Sequence, residues 1–386
     1  MADQPVYDFG SGCTNPETFP TTALAEAATR AIAIVGEDFT RYPGDLGHLG
    51  LREVMAAREA EREGVPVSPD HIVLTNGSMQ GVTLVAEALM TGVGEDIVVC
   101  EELTYSGTIG AYRRLGLRME GVALDEDGMR PDDLERVLTS LRKAGTPPRF
   151  LYILSTYQNP TGSVMPRARR LDIIEIACRF GIPIVEDNCY ADVHFDGAKE
   201  PSLYALDPEG TDHIYLCSIS KILGPGVREG YIHARPPMLQ RLLERRFDGG
   251  NSLLTASVLA EFFRDRLWDH CAAMNGPLKQ KRDAVLAGLQ ESVGDICTWS
   301  RPAGGLFIWV HLPDDVDIDH LLRLTYEGGV RCARGRSFHI HGEDVQNIRL
   351  AFGQPTVAAI RAGIPVLGEC IRSASASTRR EATAAG

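Results

Sequence analysis

A short apolar run, His213-Ile214-Tyr215-Leu216-Cys217, breaks off into Ser218-Ile219-Ser220-Lys221, a Gly224-Pro225-Gly226 turn and Arg228. A run this short, bounded by turn signals, suits a strand buried on both faces better than a helix. Its end therefore delivers two hydroxyls, a lysine and an arginine to one place. Desolvation and a cationic neighbour such as Arg228 lower a lysine's pKa and leave more free amine, the form that condenses with an aldehyde. The hydroxyls of Ser218 and Ser220 suit phosphate oxygens, and Arg228 adds a charge-assisted contact to the same group.

The same signal recurs along the chain. Residues 71–75 read as a strand that enters Asn76-Gly77-Ser78-Met79-Gln80 and then an apolar helix through Leu89. Strand, glycine turn and helix start together aim free backbone N–H groups and a positive helix end at an anion, here at Gly77, Ser78 and Met79. Strand 97–100 precedes Tyr105, strand 150–154 precedes Ser155 to Gly162 with Asn159, and strand 182–185 precedes Glu186-Asp187-Asn188-Cys189-Tyr190. Helical periodicity covers Thr21–Val35, and further helices start near Leu51 and near Pro131, where a proline and two acids suit a first turn. Strands alternating with helices predict an α/β fold, a mostly parallel mixed sheet flanked by helices with ligands at the strand C-termini. From about Gly276 a charged helix and the run Arg301 to Val310 predict a smaller α+β domain. At 386 residues and 44% hydrophobic, the chain is long enough for both. The expected division is 1–40 as an arm and helix belonging to the small domain, 41–275 as the large domain, 276–372 as the C-terminal small domain and 373–386 as a disordered tail.

A net charge of -13 argues against nucleic acid or an anionic membrane as partner. No apolar run approaches the roughly 20 residues that cross a bilayer. Met1-Ala2-Asp3-Gln4-Pro5 is neither basic nor apolar, so no secretion signal is expected. The nine cysteines are scattered without a CxxC pair, and Cys100, Cys178 and Cys217 read as free, buried thiols. A cytoplasmic protein without disulfides follows. His194 with Asp192, and His339 with His341, lack the further partners of a metal site, so no metal is expected.

The segments 155–162, 186–190, 218–228 and 347–352, in this order and rough spacing, resemble the fold type I pyridoxal 5'-phosphate (PLP) enzymes. Within these the chain looks like the class I/II aminotransferase family, close to the 2-aminoadipate and multi-substrate aminotransferases and to the aminotransferase domain of MocR-type regulators. The resemblance runs from about Asp8 to about Leu367. It implies that Lys221 holds the cofactor as a Schiff base and that Gly77, Ser78, Met79, Ser218, Ser220 and Arg228 hold its phosphate. Tyr105 then stacks on the pyridine ring, with Cys189 against the opposite face, and Asn159 and Tyr190 meet the ring's 3'-oxygen. Asp187 faces the ring nitrogen, where a carboxylate contact at an effective dielectric of about 20 is worth on the order of 4 kcal/mol and keeps that nitrogen protonated. Arg349, with a guanidinium that must find an anion, suits the substrate α-carboxylate, and Asn159 and Gly12 are further substrate-binding residues. Gly12 belongs to an arm that crosses the site mouth in the family. Here Cys13 and Thr14 depart from the usual pattern, which ends in proline. Tyr42, in a glycine-rich loop, matches a family tyrosine that reaches the phosphate of the neighbouring subunit, so a homodimer is implied.

The expected function is a PLP-dependent aminotransferase, a transferase moving an amino group between an L-amino acid and a 2-oxo acid in a biosynthetic process. Lys221, once released by the substrate amine, is the base at Cα. The alternative is another carbanion reaction on the same machinery (elimination, γ-replacement, cyclisation or decarboxylation) in specialised amino-acid biosynthesis, with Glu229, Cys13 and Thr14 as the departures. A regulator of MocR type would need a winged helix ahead of the arm, and catalysis is expected instead.

Overall fold

The computed structural model describes residues 6–210 and 212–384, with side chains described through Ser375. The opening residues 1–5, on which the expectation about a secretion signal rests, lie outside it. The apolar runs form one sheet of seven strands, in the order Ile72–Thr75, Gly230–Ala234, His213–Ser218, Ile184–Asp187, Phe150–Ile153, Ile97–Glu101, Arg118–Val122. All are parallel except Gly230–Ala234, which runs antiparallel to both neighbours. The first six strands in that order are buried along their whole length, because helices cover both faces. The antiparallel strand pairs Gly230 with Ser218 on one side and Thr75 on the other. That register sets Arg228 at the same sheet edge as the loops leaving the parallel strands.

A second, antiparallel sheet orders Thr298–Trp299, Phe307–His311, Asn347–Ala351 and Ala333–Arg334. Helix Leu267–Val293 packs along helix Val357–Ala384 beside it. The helix expected from 276 is thus one continuous element that begins at Leu267 and crosses the expected boundary. Strand Tyr7–Asp8 pairs with Val330–Arg331, joining the arm to the smaller unit, but helix Thr21–Val35 packs on Leu253–Phe263 of the larger one. Disorder from residue 373 was expected because the tail is small and polar. The backbone is instead helical to Ala384, and Ala374 and Ser375 are buried, with Ser375 Oγ donating to Asp315 Oδ2 at 2.7 Å. Alanine, arginine and glutamate are good helix formers, and the preceding turns already bury Ile364, Leu367 and Ile371. Cys178, expected to be buried, is exposed on helix Arg167–Phe180.

Candidate active site

Loops at one edge of the large sheet bring most of the expected residues to one cavity, while Gly12, Gly77, Asn159 and Arg349 are not among its lining residues. A cavity of about 120 Å³ is lined by Ser78, Met79, Tyr105, Leu154, Asp187, Cys189, Tyr190, Ser218, Ser220, Lys221, Pro225 and Arg228. A larger hollow of about 490 Å³ beside helix Leu49–Glu63 joins no lysine to a buried acid, so size does not mark the site.

Lys221 ends a short 3-10 turn after His213–Ser218. Its Nζ donates to Gly12 O at 3.0 Å and lies 5.3 Å from the centre of the Tyr190 ring. Burial lowers its pKa and Arg349 pushes the same way, against the raising effect of Cys189, Cys13 and Asp187. Asp187 closes its strand fully buried. Tyr152 OH donates to Oδ2 at 2.7 Å, while Oδ1 has no partner among the described residues. Burial raises its pKa, against hydrogen bonds from Cys189 and Tyr152. A buried acid with one free oxygen calls for an N–H donor, and a cationic one would restore the carboxylate.

A glycine turn, a helix start, two hydroxyls and Arg228 meet beside this cavity, groups whose chemistry suits an anion. Gly77 (φ 78°) precedes helix Ser78–Leu89, whose first N–H groups face outward from the helix start. A Cβ at Gly77 would stand 2.7 Å from Arg228 Nη2, so only glycine lets the guanidinium settle there. Arg228 donates to Asn76 O at 3.2 Å and Pro225 O at 3.4 Å, and Ser218 Oγ accepts from Ser220 N at 3.2 Å. Tyr105, half-buried at the start of helix Ser106–Leu115, and Cys189 both line the cavity.

At the mouth, Arg349 Nη1 donates to Asn159 Oδ1 at 2.9 Å and Nη2 to Gly10 O at 2.8 Å. Its guanidinium lies 4.2 Å from the Phe307 ring centre and 4.6 Å from that of Phe338. Burial brings its pKa down to about 10, so it stays cationic near neutrality. No carboxylate among the described residues pairs with it, and Nε has no partner there. A buried, unneutralised guanidinium gripped by two rings is a receptor for an anion. Gly12 packs against Phe307, and Ser11 Oγ donates to Cys13 Sγ at 3.0 Å.

Tyr42 does not join the cavity of its own chain and is 88% exposed. His339 Nδ1 accepts from the backbone of His341 and Glu343, and so folds its own loop. His194 Nδ1 meets Tyr157 OH at 2.5 Å, and Asp192 pairs with Arg58 and Arg62. Tyr152, Phe307 and Phe338 were missed from sequence. A phenol inside a fully buried strand needs a polar partner, which was the signal for Tyr152.

The class I and II aminotransferase family model matches residues 5–364. An aromatic-amino-acid aminotransferase of Thermococcus litoralis is 31% identical, covering 95% of this chain and 88% of that protein. A 2-aminoadipate transaminase of Thermus thermophilus is 31% identical over 95% of this chain and 90% of its own length. The crystal structure of an alpha-aminoadipate aminotransferase from Thermus thermophilus, complexed with N-(5'-phosphopyridoxyl)-L-leucine, superposes with a TM-score of 0.87 at 31% identity, covering 96% of this chain and 93% of that one. The chain belongs to the class I and II aminotransferases, fold type I transferases that use PLP.

Proposed function

We propose that this aminotransferase takes L-amino acids with apolar or aromatic side chains and passes the amino group to a 2-oxo acid, with residue roles as follows. The observation that carries the roles is the pairing of Lys221 with a buried Asp187 whose Oδ1 is unpartnered in one cavity. PLP, when bound, supplies an electron sink for the pair left at Cα. Lys221 removes and returns the proton at Cα, helped by a pKa that burial has lowered. Asp187, oriented by Tyr152, holds the proton on the ring nitrogen. Tyr190 and Asn159 would hold the 3'-oxygen, and Tyr105 and Cys189 would hold the ring. Gly77, Ser78, Met79, Ser218, Ser220 and Arg228 hold the phosphate. Arg349 takes the α-carboxylate, Asn159 keeps the guanidinium turned, and Gly12 closes the mouth. Phe307 and Phe338 beside Arg349 favour an apolar side chain. One relative is named for aromatic amino acids, which agrees with this reading, while two others are named for 2-aminoadipate, a dicarboxylic amino acid.

A homodimer with Tyr42 reaching the partner's phosphate is part of the proposal. Ile32, Ile34, Phe39, Tyr42, Phe247 and Leu254 are all exposed, in two chain segments that pack together. No helix among the described residues is long and apolar enough to cross a membrane. Nine free cysteines suit a reducing cytoplasm, and a role in amino-acid biosynthesis fits the reaction. The test incubates the purified protein with a panel of amino acids and a 2-oxo acid acceptor. The expected products are the donor's 2-oxo acid and the acceptor's amino acid, fastest with Phe, Tyr or Leu. Ammonia, carbon dioxide or a cyclised product would mark the alternative fate, and preference for a dicarboxylic donor would overturn the substrate class.

A further inference from the structure

Glu229 sits between Arg228 and Gly230, yet its side chain leaves the phosphate cup and is fully buried. Its Oε1 accepts from Asn251 Nδ2 at 2.6 Å, while Oε2 has no partner among the described residues. The backbone on its other side is pinned to the lysine turn, because Ile219 N donates to Glu229 O at 3.1 Å. Asn251 ends the segment Phe247-Asp248-Gly249-Gly250, and that segment is stacked on the loop bearing Tyr42. A Cβ at Gly249 would stand 3.0 Å from Tyr42 Cδ1, and one at Gly250 (φ 108°) 2.5 Å from Gly44 O. Arg246 fastens the same two loops, donating to Asp45 O at 2.6 Å and Leu74 O at 2.7 Å while pairing with Asp248 at 2.7 Å. Nothing in the phosphate cup or in the cavity uses the Glu229 carboxyl.

We propose that Glu229 is a positioning residue for cofactor retention: through Asn251 it ties the phosphate cup of one subunit to the loop that presents Tyr42. This rests on the reading that Tyr42 binds a cofactor phosphate. The acid acts as a hydrogen-bond acceptor for the Asn251 amide, so glutamine in its place serves as well and an apolar residue does not.

The test titrates PLP into the apo form of the full chain, following cofactor absorbance, with apo melting recorded beside it. Glu229→Leu, Asn251→Ala and Tyr42→Phe are each expected to raise the PLP dissociation constant about tenfold, and Glu229→Gln to stay within about twofold of wild type. The double variant Glu229→Leu/Tyr42→Phe is expected to be no weaker than either single one, since both remove the same contact. Asn251→Ala carries the test if Glu229→Leu fails to fold. If Tyr42→Phe weakens binding while Glu229→Leu and Asn251→Ala do not, the tie is refuted and the Tyr42 reading stands. If the effects of Glu229→Leu and Tyr42→Phe multiply, Glu229 acts elsewhere and the tie is refuted. If Tyr42→Phe binds PLP as wild type does, the Tyr42 reading fails and this inference with it.

Discussion

Replacing Glu229 by glutamine isolates the cost of burying an ionisable acid. Burial moves its carboxyl from the ordinary 4.5 up to about 8, against the Asn251 hydrogen bond and the Arg246 charge, which pull it down. The folded protein thus keeps a proton that the unfolded chain has already released. That contribution is fully present below about pH 4.5 and is lost as pH rises toward about 8. The slope is about 1.4 kcal/mol per pH unit, so between about pH 6 and about pH 7.5 wild type loses roughly 2 kcal/mol that the glutamine variant keeps. At roughly 2 cal/mol/K per residue over 386 residues, the unfolding entropy is about 0.8 kcal/mol/K, and the gap in melting temperature widens by about 2.5 °C. Calorimetry of both apo proteins across that range reads the gap directly. Parallel curves of melting temperature against pH would show that Glu229 ionises as an ordinary surface acid and would refute the reasoning.

Lys221→Ala is expected to lower the transamination rate by about 100-fold or more, the range for a lost general base, and borohydride should no longer fix PLP to the chain by mass spectrometry. Tyr152→Phe removes the 2.7 Å hydrogen bond to Asp187, at about 1.5–3 kcal/mol for a bond to a charged acceptor; kcat should fall roughly 10-fold or more while PLP stays bound. Arg349→Ala should raise KM for the amino acid about 10- to 100-fold, with PLP affinity measured by titration little changed. An equal loss of PLP affinity would place Arg349 at the cofactor instead.

Much of the scaffold could be read locally. Helix Thr21–Val35 has the bounds expected of it, a helix does start near Pro131, and the lysine, acid and glycine loops follow the strands that were expected to carry them. Helix period, strand length and turn chemistry act over a few residues, so they are written in short windows. Arg349 was recognisable as a guanidinium needing an anion, but its aromatic clamp and its bond to Asn159, 190 positions away, were not. Helix Thr21–Val35 was read correctly as a helix and assigned to the smaller unit, whereas packing sets it on Leu253–Phe263.

Sequence by itself determined which groups this chain offers: an amine, a carboxylate and a glycine turn at the ends of predictable elements, and a guanidinium inside one. Tertiary structure alone decided the partners of buried polar groups, such as Tyr152 with Asp187, Gly12 O with Lys221 and Glu229 with Asn251. A buried donor or acceptor must be satisfied by whatever packing brings near, and that neighbour is set by contacts far apart along the chain.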